Sequence, residues 1–362
     1  MFLFIFEAMS ELFLSDLYSL LLKSNYSQLY RRRFLVLGAS GLVGKYFLCL
    51  LSHINTKEKL NLSITACCRN VQTLSHFVHD VLEDASIDVR QIDVMQPFSL
   101  KEQYDYVLMA ASPADPLSYS RKPVETFLSN VIGLRNIIQA TLEVSQEKPP
   151  RILFVSSGEV YGVDEELNLS GFSETDYRYL DHLNGRSCYS MGKKAAECLC
   201  ELYKAEFGTD IVIARLCHTY GPTITSINSR ADAQFLRNAA RGVPIVMKST
   251  GSQIRSYCYV GDCCTALITL LLSGKSGEAY NVANPNSVVS IREYAETLAK
   301  ISGTELRFEL PKEEEKRGFS KVPRAVLNPE KLMKLGWAPV FSLEEGLRHT
   351  LEIYKELNVV SR

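Results

Sequence analysis

The stretch Phe34-Leu35-Val36-Leu37-Gly38-Ala39-Ser40-Gly41-Leu42-Val43-Gly44 sets the fold of this 362-residue chain. Four consecutive apolar residues, bounded by Arg31, Arg32 and Arg33 on one side and glycine on the other, are too short for a helix and read as a buried strand. A helical pattern follows the glycines through Leu51. Between a strand and a helix the three glycines acquire separate tasks. Gly38 permits the tight turn, Gly41 lets a pyrophosphate approach the main chain, and Gly44 lets helix and strand pack closely. Gly38, Ser40, Gly41, Leu42, Val43 and Gly44 therefore form a candidate dinucleotide cradle, with the helix N-terminus offering N–H groups and a positive dipole end to phosphate.

Apolar strand-like runs recur at 62–67, 87–93, 106–111, 151–156 and 211–216, with helical patterns between several of them. This alternation predicts an α/β fold, a Rossmann-type doubly wound parallel sheet over residues 31–220 with a returning segment near 255–285. Residues 221–362 read mainly as a smaller C-terminal substrate-binding lobe. Strand ends supply further cofactor candidates. Where an acidic residue would meet the ribose hydroxyls of NAD, the second strand runs into Cys67-Cys68-Arg69-Asn70. A cation there suits the 2′-phosphate of NADP and stacks on adenine, so between NAD and NADP Arg69 tilts slightly to the latter. Asp93 is placed to accept from the adenine amino group, and Ala110 and Ala111 close the fourth strand beside the turn.

Composition excludes several classes. Hydrophobic residues make up 46% and charged residues 22%, the balance of a soluble globular chain. Lys plus Arg number 40 against 41 Asp plus Glu, so no basic field holds nucleic acid or an anionic membrane. The longest apolar runs, 1–6 and 266–272, fall far short of the roughly 18 residues a membrane span needs. Ten cysteines with no Cys-x-x-Cys pair and no Cys/His cluster read as reduced core residues of a cytoplasmic protein. His76 and His79 have no third ligand nearby, so no metal is expected. In residues 1–30 the acids Glu7, Glu11 and Asp16 precede the first base, Lys23, which is unlike a secretory signal. Leu12, Phe13, Asp16, Leu17, Leu20 and Leu21 share helical spacing, so this extension is expected to pack as a helix on the domain or on a neighbouring subunit, with Met9 an alternative start. The charged run 312–317 reads as a solvated loop or helix face.

The chemistry concentrates further on. The fifth strand runs into Ser156-Ser157-Gly158-Glu159-Val160-Tyr161-Gly162, and Arg186-Ser187-Cys188-Tyr189-Ser190-Met191-Gly192-Lys193 opens a helix. Tyr189 and Lys193, at i and i+4, share one helix face. The ammonium is expected to favour the phenolate and pull Tyr189 below the ordinary value of about 10, making it a base. With 18 tyrosines the spacing arises about once by chance, so its weight comes from its order after the glycine turn and after Ser157 at a strand end.

In these residues the chain resembles the extended short-chain dehydrogenase/reductases that modify nucleotide-diphosphate sugars, over nearly everything from residue 31 onward. Gly38, Gly41 and Gly44, Ser157, and Tyr189 with Lys193 match the family's cofactor turn and catalytic set. Ala111-Ser112-Pro113-Ala114-Asp115-Pro116 with Asn130, Arg186-Ser187-Cys188-Tyr189 and Arg255-Ser256-Tyr257-Cys258-Tyr259-Val260-Gly261-Asp262 are similar to UDP-glucuronate decarboxylases. Asn328-Pro329-Glu330-Lys331-Leu332 and Leu335-Gly336-Trp337 are similar to the family's C-terminal lobe. The resemblance implies that Tyr189 takes the proton of the sugar C4 hydroxyl while hydride passes to the nicotinamide. It further implies that Ser157 hydrogen-bonds that oxygen, that Lys193 holds the nicotinamide ribose, and that Arg255 and Arg230 contact the diphosphate. It also implies a homodimer joined through the helices 123–142 and 189–207.

Two departures bear on the reaction. The dehydratases and decarboxylases that the chain resembles carry Thr-Asp-Glu or Thr-Ser-Glu where this chain has Ser157-Gly158-Glu159, so Glu159 is kept but Gly158 has no side chain to protonate a leaving hydroxyl. The family's usual asparagine is His218, a donor to substrate or a packed core histidine. Decarboxylation or epimerisation after C4 oxidation is therefore favoured over 4,6-dehydration. A net NAD(P)H-dependent reductase and a non-catalytic NAD(P)-binding protein are the alternatives from other classes.

Overall fold

The computed structural model describes residues 11–21, 26–82, 84, 86–145, 148–163, 170–309, 311 and 322–360. β1 (Arg33–Leu37) enters a turn in which Gly38 adopts φ +82°, and α2 (Leu42–Glu58) starts at once. β1 lies inside a seven-stranded sheet with β2 (Ser63–Cys68), β3 (Ile87–Gln91), β4 (Tyr106–Met109), β5 (Arg151–Ser157), β6 (Ile211–Leu216) and β10 (Ala279–Val282). The order is β10-β6-β5-β4-β1-β2-β3, and every neighbouring pair is parallel. A parallel sheet is covered on both faces, which is why β1 is apolar without alternation. Phe34 and Val36 enter one core with α2 and α8 (Val260–Ser273). Leu35 and Leu37 enter the other with α5 (Pro123–Val144) and α6 (Cys188–Phe207). The connections turn back between β1 and β4, opening a crevice at the carboxyl ends of the strands.

Two strand ends differ from the sequence expectation. β3 stops at Gln91, leaving Asp93 in the following turn, and β4 stops at Met109, leaving Ala110 and Ala111 in the loop. α3 (Val71–His76) follows β2, and α4 (Pro116–Arg121) precedes α5. In the C-terminal part, β9 (Ile254–Tyr259) pairs with β7 (His218–Tyr220), β11 (Val288–Ser290) and β13 (Arg324–Ala325). β8 (Ile245–Met247) pairs with β12 (Leu306–Phe308). α7 (Ala231–Ala240), α9 (Ile291–Ser302), the single turn α10 (Glu330–Met333) and α11 (Leu343–Val360) complete the fold.

The N-terminal stripe forms α1 (Glu11–Leu21), which packs on α2, α8 and α11. Asp16 does not merely interrupt an apolar run. It is fully buried and accepts hydrogen bonds from the Tyr46 and Tyr259 hydroxyls, with His349 Nδ1 at 2.8 Å. Residues 1–6, Glu7, Met9, Lys23 and the run 312–317 lie outside the described residues. Among those described, no helix is long and apolar enough to cross a membrane, and all ten cysteines are free thiols.

Candidate active site

A cleft of about 1280 Å³ lies at the carboxyl ends of the parallel strands, and every candidate residue named from the sequence lines it. At its floor the glycine turn is built by close approaches. A Cβ at Gly38 would stand 2.6 Å from the Ala110 carbonyl carbon, and one at Gly44 would stand 2.3 Å from the Gly38 oxygen. Gly41 differs, because a Cβ there would meet just one atom, the Gly38 oxygen at 3.4 Å. The space beside Gly41 therefore belongs to the cleft. Gly41, the N-cap of α2, has no side chain to cap it, so the first-turn N–H groups of that helix are open to an anion. These residues fit a dinucleotide pyrophosphate. Arg69 is exposed at the end of β2, 3.4 Å from Glu125, and Asp93 uses one oxygen to cap the Met95 N–H at 3.0 Å.

On the opposite wall α6 carries Tyr189 and Lys193 on one face, both buried. Lys193 Nζ donates to the Val155 carbonyl at 2.6 Å and lies 5.7 Å from the Tyr189 ring centre. Ser157 lines the cleft with Tyr189 and caps the Glu159 N–H at 3.2 Å. The expected lowering of Tyr189 is not found. Burial and the Glu159 charge raise it above the ordinary tyrosine value, against the downward pull of Ser157, Arg230 and Arg186. Burial brings Lys193 down to about 7, with Glu197 holding it up. A lysine so desolvated is a weak local cation, which is why its neighbouring phenol is not acidified.

Three arginines face the same space. Arg230 donates to the Thr219 carbonyl at 2.7 Å and to Asp232 at 2.9 Å. Arg255 is buried and donates to the main-chain carbonyls of Ile254 and Val322, both at 2.8 Å. His218 lines the same cleft, and burial plus the charges of Arg255 and Arg230 lower it to about 3, so it is a neutral donor or acceptor at working pH. Glu159 accepts from Ser190 at 3.0 Å and from Arg186 at 3.3 Å.

The model of the NAD dependent epimerase/dehydratase family matches residues 34–283. The chain belongs to that family. It is 29% identical over 331 residues to UDP-glucuronic acid decarboxylase 1 of Xenopus tropicalis, covering 90% of this chain and 73% of that one. Among solved structures it is similar to the dTDP-glucose 4,6-dehydratase DesIV of Streptomyces venezuelae with NAD and TYD bound, at TM-score 0.76 and 20% identity over 90% of this chain and 97% of that one. It is also similar to a UDP-glucuronic acid 4-epimerase mutant of Bacillus cereus in complex with NAD and UDP-4-deoxy-4-fluoro-glucuronic acid, at TM-score 0.74 and 20% identity over 90% and 99%. These likenesses agree with the fold just described.

Within this family member, the structure adds side-chain contacts that the sequence did not disclose. Tyr119, on α4, stacks on Tyr189 with ring centres 4.8 Å apart and planes at 20°. The Arg186 guanidinium lies 4.7 Å from the Tyr119 ring centre. Leu327 packs against Gly158, where a Cβ would lie 3.0 Å from both of its methyl groups. Glu197, one turn beyond Lys193, holds Arg215 at 2.7 Å and accepts from Ser156. Of these, just the i+4 spacing of Glu197 from Lys193 was open to detection in the sequence.

Proposed function

We propose that the protein oxidises a nucleotide-diphosphate sugar at C4 and then decarboxylates or epimerises it, with 4,6-dehydration disfavoured. The observation that carries this reading is the packing of Leu327 over Gly158 beside Ser157, Glu159 and Tyr189. Loss of water across C5 and C6 needs an acid at the departing hydroxyl. At position 158 there is no side chain, and the room for one is taken by a hydrocarbon. Loss of carbon dioxide from a 4-keto uronate needs little beyond the electron sink and a fixed geometry. The names of the decarboxylase relatives point the same way.

Bound in the cleft, NAD or NADP would supply the hydride acceptor, and Gly38, Ser40, Gly41, Leu42, Val43, Gly44, Arg69, Asp93, Ala110 and Ala111 would hold it. Arg69 favours NADP, in competition with Glu125. Tyr189 takes the proton of the C4 hydroxyl, Ser157 hydrogen-bonds that oxygen, and Lys193 positions the ribose. Arg230, Arg255 and neutral His218 receive the diphosphate and sugar oxygens. Glu159 handles a proton at C5. The substrate lobe over 221–362, a cytoplasmic setting and a homodimer through α5 and α6 belong to the same proposal. Val124, Leu202 and Phe207 on those two helices are exposed apolar residues, which supports the dimer.

The test offers UDP-glucuronate and UDP-glucose separately and identifies products by mass. Conversion of the glucuronate to a pentose or epimer is expected, abolished by Tyr189→Phe, which removes just the hydroxyl. Clean formation of a 4-keto-6-deoxy product from the glucose nucleotide, with the glucuronate untouched, overturns the reading.

A further inference from the structure

Resting on that reading, we propose that Arg186 selects a carboxylated sugar by exchanging its contact with Glu159 for the C6 carboxylate of the substrate, which at the same time releases Glu159 to act as a base. Three features of the Arg186 surroundings carry this. Its contact with Glu159 is a single Nη1–Oε2 approach of 3.3 Å, not the two-point fork that arginine makes with a committed carboxylate. Its Nε–H is buried with no acceptor among the described residues, a donor with a standing deficit that a second carboxylate oxygen would fill. Its place is fixed: the guanidinium rests on Tyr119, which stacks on Tyr189, so the free donors stand at the reacting end of the cleft and not at the glycine turn.

The other two arginines are poorly suited to such an exchange. Arg230 also has a buried Nε–H with no acceptor among the described residues, but it leaves Asp232 only at the cost of stranding a carboxylate whose side chain is 7% exposed, and an uncompensated buried charge is expensive. Arg255 has both terminal nitrogens committed to main-chain carbonyls. Glu159, by contrast, is 38% exposed and keeps the Ser190 hydroxyl as a donor when the arginine leaves. This partly exposed ion pair rests on one long contact, so it holds Arg186 to Glu159 weakly.

The experiment measures binding without turnover, by titration calorimetry on Tyr189→Phe protein with NAD(P) supplied, using UDP-glucuronate and UDP-glucose as probes. The two probes share the diphosphate, so their difference isolates the C6 group. Adding Arg186→Gln is expected to weaken UDP-glucuronate on the order of 10- to 100-fold while UDP-glucose changes by less than about threefold. Adding Arg186→Lys, which keeps the charge but not the fork, falls between. Adding Glu159→Gln instead leaves UDP-glucuronate binding equal or tighter, because the competing carboxylate is gone. Equal losses for both probes with Arg186→Gln, no loss with either arginine variant, or weaker UDP-glucuronate binding with Glu159→Gln overturns the inference. Should Arg186→Gln fail to fold, Arg186→Lys and Glu159→Gln decide by the same criteria. A parent that binds UDP-glucose but not UDP-glucuronate brings down the functional reading itself, and the inference with it.

Discussion

At the scale of single residues, the glycine turn separates folding from binding. Gly44→Ala places a methyl 2.3 Å from the Gly38 oxygen and 2.7 Å from the Ala39 Cα, main-chain atoms that cannot yield cheaply. Gly41 has no such neighbour, and its Cβ would project toward cleft space. Gly41→Val is therefore expected to give a folded protein with cofactor affinity reduced at least about tenfold, whereas Gly44→Ala loses stability on the order of 2 kcal/mol or more. Fluorescence titration with the dinucleotide, beside thermal melts of both variants, checks the contrast. Undiminished cofactor binding in folded Gly41→Val would remove the turn from the cofactor site.

At the scale of elements, α6 places Tyr189, Lys193 and Glu197 one turn apart on a single buried face, and the lysine bears the electrostatic burden. Its folded pKa of about 7 lies below the ordinary lysine value of 10.5. Below pH 7 both folded and unfolded chains hold the proton and the fold carries the full cost of a buried charge. Between about 7 and 10.5 the unfolded chain binds more protons, so stability rises with pH across that window. Lys193→Met should remove this rise: relative to the parent, its Tm gains most at pH 6 and the gain shrinks by several degrees toward pH 10. The lost bond to Val155 shifts both ends equally and leaves the slope intact. A difference between the two proteins that does not vary with pH would show that Lys193 keeps its proton when folded. The same helix shows what the sequence could and could not disclose. The i, i+4 face of Tyr189 and Lys193 is a local property, as are the apolar runs of β1, β2, β5 and β6, and all were legible. The direction of the Tyr189 shift was not, because burial is set by β5 and by Tyr119, which arrives from a helix some seventy residues earlier in the chain. Leu327 over Gly158 and Arg186 on Tyr119 were hidden for the same reason, since neither has a spacing that marks it.

At the scale of the whole molecule, the first and last described helices are tied together through one buried carboxylate. Asp16 on α1 joins Tyr46 on α2, Tyr259 at the end of β9 and His349 on α11, so the first and last described helices meet over the helix that begins at the cofactor turn. The helical spacing put Asp16 in the stripe but not its role, because a lone acid among apolar residues carries no sign of the three groups that will surround it. Asp16→Ala leaves two buried hydroxyls and an imidazole without their acceptor and should destabilise by about 2 to 5 kcal/mol. His349 gives the tie a pH signature. The hydrogen bond to Asp16, and then its charge, raise the imidazole above its ordinary value of 6.5, against the opposing effect of burial. A raised folded pKa means that the added stability is fully present below 6.5 and is lost as pH rises through the folded value. Across a pH series of denaturant melts, His349→Gln should therefore fall furthest behind the parent under acidic conditions and approach it in alkali. Asp16→Asn, which keeps an acceptor but not the charge, should flatten the same profile while retaining most of the stability. A parent and His349→Gln protein that melt in parallel from pH 5 to 9 would mean the imidazole gains nothing from Asp16, and that α1 is held by its apolar face alone.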